Sequence, residues 1–177
     1  EVSIPMLQEV GINCAIVGHS ERRQYFSETD DSVAIKSAAC LEKGILPITC
    51  VGETRSERES GQTMNVIKRQ VTAVMDKVPT PRNLVVAYEP VWAIGTGLSA
   101  TSAQAQEVHA YVRQLWAERY GSSAAQSLRI LYGGSATPDN IAGLLEQKDV
   151  DGGLVGGAAL KAGDFARMVK TAVTYRK

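Results

Sequence analysis

The feature that most constrains the fold of this chain is a regular alternation of short apolar segments with longer amphipathic ones. The apolar segments have the length of strands, and the segments between them carry apolar residues at helical spacing. The predicted strands cover residues 14–17, 45–51, 84–88, 128–132 and 151–155. They recur roughly 25 to 45 residues apart, which is the period of βα units. We therefore predict a single α/β domain over residues 1–177, with parallel strands joined by right-handed helical crossovers.

The helices are predicted from their start and stop residues as well as from their periodicity. Ser3 is placed to cap a first short helix, with Pro5 in its first turn. The helix over residues 64–78 should end at Pro79 and Pro81, because proline cannot continue a helix. Three further helices are predicted over residues 31–43, up to Gly121 and near residues 138–140. The last helix is expected to bury an apolar stripe made of Phe165, Met168, Val169, Ala172 and Val173.

Composition and charge exclude several classes of function. The chain has 177 residues, 44% of them hydrophobic, and a net charge of zero, which suits a globular domain with a substantial core. It has no basic excess that would bind nucleic acid, and no apolar run near the ~20 residues of a membrane-spanning helix. The cysteines Cys14, Cys40 and Cys50 are odd in number and fit no zinc spacing. We expect reduced thiols in a cytoplasmic protein with no metal site.

The third predicted strand ends in a single carboxylate, Glu89, and Pro90 then holds Glu89 out of the helical region. An apolar loop with Trp92 and Ile94 follows, closed by Gly95-Thr96-Gly97. Because apolar side chains are costly to expose on a loop, we predict a mobile lid. A closing lid would desolvate Glu89, raise its pKa and make it a better base. The alternative is a strand-end acid paired with a neighbouring Arg or Lys.

The two histidines receive different predictions. His19 follows Gly18 at the end of the first predicted strand, where a loop turns into a helix. Amide N–H groups at a helix N-terminus disfavour an added positive charge, so we expect a neutral imidazole that donates to a substrate oxygen. A structural role is the alternative, since a lone histidine is more often structural than catalytic. His109 lies within a helical pattern and is expected to be a surface or packing residue.

Three glycine-bearing loops follow predicted strands: Gly95-Thr96-Gly97, Tyr132-Gly133-Gly134-Ser135 and Gly156-Gly157. Glycines let backbone N–H groups crowd around an anion, and a helical turn over residues 158–160 would point its N-terminus at that anion. Each glycine pair alone is typical of a plain turn, but their recurrence at successive strand ends favours phosphate binding. Gly52-Glu53-Thr54-Arg55 is predicted to be structural.

Five segments of the chain resemble, in the same order, the triosephosphate isomerase family. They are Gly18-His19-Ser20-Glu21-Arg22-Arg23, Cys50-Val51-Gly52-Glu53, Ala87 to Gly97 (AYEPVWAIGTG), Tyr132-Gly133-Gly134-Ser135 and Leu154-Val155-Gly156-Gly157-Ala158. The resemblance implies a truncated TIM (β/α) barrel, with five parallel strands and the helices outside. It also implies interconversion of dihydroxyacetone phosphate and glyceraldehyde 3-phosphate, two small phosphorylated trioses, through an enediolate and without a cofactor.

The resemblance also implies a role for each residue of the site. Glu89 would shuttle the proton between neighbouring carbons, and His19 would polarise the carbonyl and stabilise the enediolate. Backbone N–H groups would hold the phosphate at Gly95, Ser135, Gly156 and Gly157. Closing residues 90–96 would exclude water from the reaction. Three residues would support the site: Ser20, Glu21 and Cys50.

The chain departs from the family pattern at its N-terminal side. A full barrel of this kind has about 250 residues and eight strands, and the resemblance begins only at the end of the third βα unit. The chain starts at Glu1 without an initiator Met, and it has no Asn-x-Lys like that at the family's first strand. Losing that Lys removes positive charge near the substrate, which can be worth several kcal/mol of transition-state stabilisation.

Two functional readings follow from this pattern, and they differ in class. The first is a triosephosphate isomerase-type enzyme that is weak or inactive in this form. The second is a non-catalytic half-barrel module that assembles and keeps only inherited loops. Five strands cannot close a barrel, so we expect the open edges to pair with another copy, a complementing N-terminal piece or a further segment. A different phosphate-handling barrel enzyme is a third possibility.

Overall fold

The computed structural model describes residues 1–80 and 83–175, and its centre is one sheet of five parallel strands. In chain order the strands are β1 Cys14–Val17, β2 Leu46–Val51, β3 Val85–Tyr88, β4 Arg129–Tyr132 and β5 Gly152–Gly153. Their order in the sheet is the same as their order in the chain, and every pairing is parallel. The α/β fold, a partial TIM barrel, is therefore confirmed. The last strand is shorter than the predicted residues 151–155.

Helices precede the first strand, connect successive strands and follow the last one. They are α1 Ile4–Glu9, α2 Ser20–Phe26, α3 Asp30–Glu42, α4 Arg55–Glu59, α5 Thr63–Lys77, α6 Ser102–Tyr120, α7 Ser122–Ser127, α8 Ile141–Leu145 and α9 Ala162–Thr174. Short 3-10 turns span Val91–Ala93 and Gly157–Leu160. The helices α4 and α7 were not predicted, because five or six residues give too little periodicity. Ser3 does occupy the N-cap of α1, but its side chain makes no capping hydrogen bond. Pro81 lies outside the described residues.

The core lies between the sheet and the helices α5 and α6. It contains Val86, Tyr88, Ile130 and Tyr132 from the strands, and Ile67, Val71, Val108, Val112 and Trp116 from the two helices. All four residues of β3 are buried, with β2 on one side and β4 on the other. This burial on both faces is the physical reason why β3 reads as a continuous apolar run.

The carboxyl ends of the central strands lie at one level. Val51 of β2 is in register with Tyr88 of β3, which is in register with Tyr132 of β4. One residue further on, the N–H of Glu89 donates to the Val51 carbonyl at 2.7 Å, and the N–H of Gly133 donates to the Tyr88 carbonyl at 2.7 Å. The residues that follow these strands are consequently brought together at the carboxyl edge of the sheet.

Apolar side chains are exposed at both edges of the sheet as far as the structure describes it. On the side of β1 they are Val2, Met6, Val10, Ile12 and Ile16, and on α9 they are Phe165, Val169 and Val173. The predicted stripe of α9 is therefore wrong in its burial: Met168 is buried, whereas Phe165, Val169, Ala172 and Val173 are exposed. The helical period identified the apolar face correctly, but no described element covers it. No helix in the described ranges is both long and apolar enough to cross a membrane.

Candidate active site

His19 is positioned by the abrupt passage from β1 into α2. Gly18 between them has φ +73°, and a Cβ there would lie 2.7 Å from the side chain of Val33, so both its conformation and its surroundings call for glycine. His19 is the N-cap of α2, and its Nδ1 accepts the N–H of Glu21 at 3.3 Å. Since an accepting Nδ1 carries no proton, the ring proton lies on Nε2. This geometry fits the neutral donor that the sequence predicts.

Glu89 faces His19 from the end of β3. Its Oε1 lies 3.0 Å from Nε2 of His19, and its Oε2 accepts the N–H of Ser20 at 3.0 Å. Glu89 is only 2% exposed, whereas the His19 side chain is one-third exposed, at 33%. Burial raises the pKa of Glu89, although His19, the Ser20 N–H and the thiol of Cys50 each oppose part of that rise. A carboxylate with a raised pKa is a stronger base than an ordinary one.

Two glycines leave room for Glu89. A Cβ on Gly52 would lie 1.7 Å from the carbonyl oxygen of Glu89, and a Cβ on Gly133 would lie 2.9 Å from its Cγ. Gln70 also clamps Gly52, accepting its N–H at 2.7 Å and donating to its carbonyl at 3.2 Å. The backbone on both sides of Glu89 thus approaches so closely that it fixes the position of the carboxylate.

All six residues predicted to act on the substrate line one cavity of about 410 Å³: His19, Glu89, Gly95, Ser135, Gly156 and Gly157. Ile16, Leu154 and Val155 add apolar walls that sequence reasoning did not single out. The lining residues within the described ranges include no Lys and no Arg. These lining residues therefore offer an anion in the cavity no positively charged side chain.

The N-terminal end of the predicted lid, residues 90–96, is held by Glu53, which is fully buried. Its Oε1 accepts from Nε1 of Trp92 at 2.9 Å, from the hydroxyl of Tyr88 at 3.2 Å and from Nη1 of Arg58 at 3.0 Å. The carbonyl of Glu53 accepts the N–H of Val91 at 3.1 Å, and Arg58 stacks over the Trp92 ring at 4.8 Å. The structural role predicted for Glu53 is therefore specific, because this side chain anchors the lid.

The backbone that follows the lid is held by a second tyrosine. The hydroxyl of Tyr132 accepts the N–H of Ala100 at 3.2 Å, and within the lid Thr96 Oγ1 donates to the Trp92 carbonyl at 2.9 Å. Sequence reasoning treated Tyr132 only as the last residue of a predicted strand, before a glycine pair. Its partner lies 32 residues away along the chain, and no local pattern indicates that contact.

The three predicted supporting residues act in different ways. Ser20 contributes its backbone N–H to Glu89, and the buried Cys50 contributes its thiol, whose pKa burial raises. Glu21 contributes its backbone N–H to His19, while its side chain is exposed. Across residues 1–80 and 83–175, no cluster of three or more His, Cys, Asp or Glu side chains is placed to hold a metal ion.

A parallel α/β sheet with a His–Glu contact and glycine loops at its carboxyl edge defines a protein of the (β/α) barrel class. Comparison with known proteins then gives the family. The family model described as triosephosphate isomerase matches residues 1–172, and the chain belongs to this family.

Individual relatives agree with that assignment. The chain is 53% identical over 172 residues to the triosephosphate isomerase of Trichlorobacter lovleyi, covering 96% of this chain and 68% of that protein. It is 56% identical to those of Delftia acidovorans, over 173 residues, and Moorella thermoacetica, over 171. These matches cover 97% and 96% of this chain and 69% and 68% of the two relatives. The chain thus spans about two thirds of the length of the relatives.

Proposed function

We propose that this chain carries the proton-transfer site of a triosephosphate isomerase and interconverts dihydroxyacetone phosphate and glyceraldehyde 3-phosphate, weakly by itself. The observation that carries the proposal is the 3.0 Å contact between Nε2 of His19 and Oε1 of Glu89 at the wall of one cavity. Membership of the triosephosphate isomerase family supports the choice of these two substrates.

The chemistry divides between these two residues. Glu89 takes a proton from the hydroxyl-bearing carbon next to the carbonyl of the ketose and returns it to the former carbonyl carbon. Nε2–H of His19 donates to the carbonyl oxygen, on which negative charge develops in the enediolate, and gives it a proton; Nε2 takes back the proton of the neighbouring hydroxyl, so that carbonyl and hydroxyl exchange places. No substrate fits between atoms 3.0 Å apart, so binding must separate Glu89 from His19 and free both groups.

The phosphate lies, in this proposal, among the backbone N–H groups of Gly95, Ser135, Gly156 and Gly157. The 3-10 turn Gly157–Leu160 starts at that point of the cavity. These donors carry no net charge, and a dianionic substrate without a cationic partner gains less transition-state stabilisation. This is the reason why we expect weak turnover.

The alternative function is a non-catalytic half-barrel module that assembles with another polypeptide. A specific observation favours it: the edge strand β1 borders a second cavity of about 570 Å³, lined in part by Ile4, Leu7 and the half-exposed Ile16. The apolar side chains on α9 are exposed at the opposite edge. Another copy or a complementing N-terminal fragment would cover these surfaces and stabilise the sheet.

A coupled isomerase assay on the purified chain separates these functions. Turnover that disappears in Glu89→Gln and persists in Glu9→Gln, a matched change of an exposed residue on α1, supports catalysis. Turnover that survives Glu89→Gln would come from a contaminating enzyme, and absence of turnover would favour the assembly module. Light scattering of the same samples gives the mass of the particle and tests assembly directly.

A further inference from the structure

The buried histidine of α6 has contacts that packing alone does not require. His109 is fully buried, and its Nδ1 lies 3.2 Å from the carbonyl oxygen of Asp149. Because a carbonyl only accepts, Nδ1 carries the proton, and Nε2 is left without a partner among the described residues. The imidazole meets the ring of Tyr88 edge to face, with centroids 5.9 Å apart and planes at 84°.

Tyr88 links His109 to the residues that anchor the lid. Its ring packs against His109, and its hydroxyl donates to Oε1 of Glu53, the same oxygen that accepts from Nε1 of Trp92. Tyr88 is also the residue directly before Glu89. A continuous buried path therefore leads from His109 through Tyr88 and Glu53 to the lid.

On its other side, His109 is held by Asp149 and the helix α6. Asp149 is clamped by one stripe of α6: Gln106 donates to its Oδ2 at 2.6 Å and accepts its N–H at 2.9 Å, and Arg113 donates to its Oδ1 at 2.6 Å. His109 lies on the same stripe, between Gln106 and Arg113. The imidazole is thus held by a rigid support, and it cannot turn without losing the Asp149 contact.

We propose that His109 is a positioning residue for the lid, whose ring holds Tyr88 and thereby the Glu53 anchor of Trp92. Its effect on catalysis rests on the function proposed above, whereas its effect on the lid does not. An edge-to-face aromatic pair is worth enough to shift an equilibrium constant by roughly 2- to 12-fold. We expect a change of this size in the equilibrium between the anchored and the released state of the lid when the ring of His109 is removed.

Two substitutions separate the ring of His109 from its hydrogen bond. His109→Phe keeps a ring against Tyr88 and loses the donor to Asp149, whereas His109→Asn keeps a donor and loses the ring. Trp116→Phe provides the background, because the chain has two tryptophans and Trp92 then becomes the only indole. Acrylamide quenching of Trp92 fluorescence reports the lid anchor without any need for turnover.

We expect His109→Asn to raise the quenching constant of Trp92 about 2-fold or more, and His109→Phe to leave it unchanged. Equal effects of the two substitutions, or no effect of His109→Asn in a folded chain, would overturn the proposal. Tyr88→Phe removes only the hydroxyl that reaches Glu53, and it gives a second test should His109→Asn fail to fold. Tyr88→Phe should also raise the quenching constant of Trp92. An unchanged quenching constant would refute the proposed link from Tyr88 through Glu53 to Trp92.

A double-mutant cycle tests whether the two residues act in series. In the Tyr88→Phe background, His109→Asn should add little further quenching, and full additivity would contradict the path. In the isomerase assay we expect His109→Asn to lower kcat about 2- to 12-fold with little change in KM. A wild-type chain without turnover would refute the proposed function, while the quenching result would still decide the role of His109.

Discussion

The buried His109 makes the stability of this protein depend on pH in a way that the structure quantifies. Burial lowers the pKa of His109 from 6.5 to about 4, although the contact with Asp149 and the nearby Asp151 oppose that change. Between about pH 4 and pH 6.5 the imidazole of His109 binds a proton in the unfolded chain but not in the folded chain. The stabilisation is therefore fully present above pH 6.5 and is lost as the pH falls towards 4.

The magnitude follows from the difference between the two pKa values. About 2.5 pH units at ~1.36 kcal/mol each give about 3 kcal/mol in total, of which about 2 kcal/mol is already lost at pH 5. This is a large part of the roughly 5–15 kcal/mol by which a domain is stable.

The assay is urea denaturation of the wild-type chain and of His109→Asn between pH 7.5 and pH 5. Asn keeps a donor for the Asp149 carbonyl and cannot titrate, so the difference between the two curves cancels every other ionisable group. We expect the free energy of unfolding of the wild-type chain to fall by about 2 kcal/mol more than that of the variant. Parallel curves would show that His109 is not the titrating group and would refute this reasoning.

Three further substitutions test the support of Glu89 and of the lid. Gly52→Ala places a Cβ against the Glu89 carbonyl and should destabilise the fold by about 1–3 kcal/mol in urea denaturation, whereas Gly163→Ala, which meets no atom within 4 Å, should be neutral or slightly stabilising. Equal midpoints for these two variants would contradict the close approach. Glu53 accepts hydrogen bonds from Arg58, Tyr88 and Trp92. Glu53→Gln weakens all three, and it should lower the free energy of unfolding by about 1.5–3 kcal/mol in the same denaturation assay. Tyr132→Phe leaves the N–H of Ala100, which follows the lid, without its acceptor and should speed hydrogen exchange of that amide; unchanged exchange would show that Tyr132 does not hold this segment.

The central strand of the sheet could be predicted because it is buried. The residues of β3 are buried on both faces, so apolar side chains occupy every position and the run stands out without any knowledge of its neighbours. The short strand β5 was overestimated because Leu154 and Val155 continue the apolar run but line the cavity, and the last backbone contact with β4 is the N–H of Leu154, which donates to the Tyr132 carbonyl at 2.9 Å.

The candidate site was only partly predictable. His19 and Glu89 stand next to a glycine and a proline at strand ends, so local sequence indicates their position. The lid anchors involve residues far apart in the chain, with Glu53 lying 35 residues from Tyr88 and 39 from Trp92. The burial of the α9 stripe was predicted wrongly for a related reason. Periodicity identifies the apolar face of a helix, but it does not show which distant residues cover that face.

The most direct measurement of the central claim is solvent deuterium incorporation into the triose phosphate, followed by NMR in heavy water with the purified chain. A base that takes a proton from one carbon and returns one to its neighbour exchanges it with solvent, so deuterium should enter the carbon skeleton and should not do so with Glu89→Gln. Deuterium incorporation at the same rate with Glu89→Gln, or none with the wild-type chain at high concentration, would contradict the role assigned to this carboxylate.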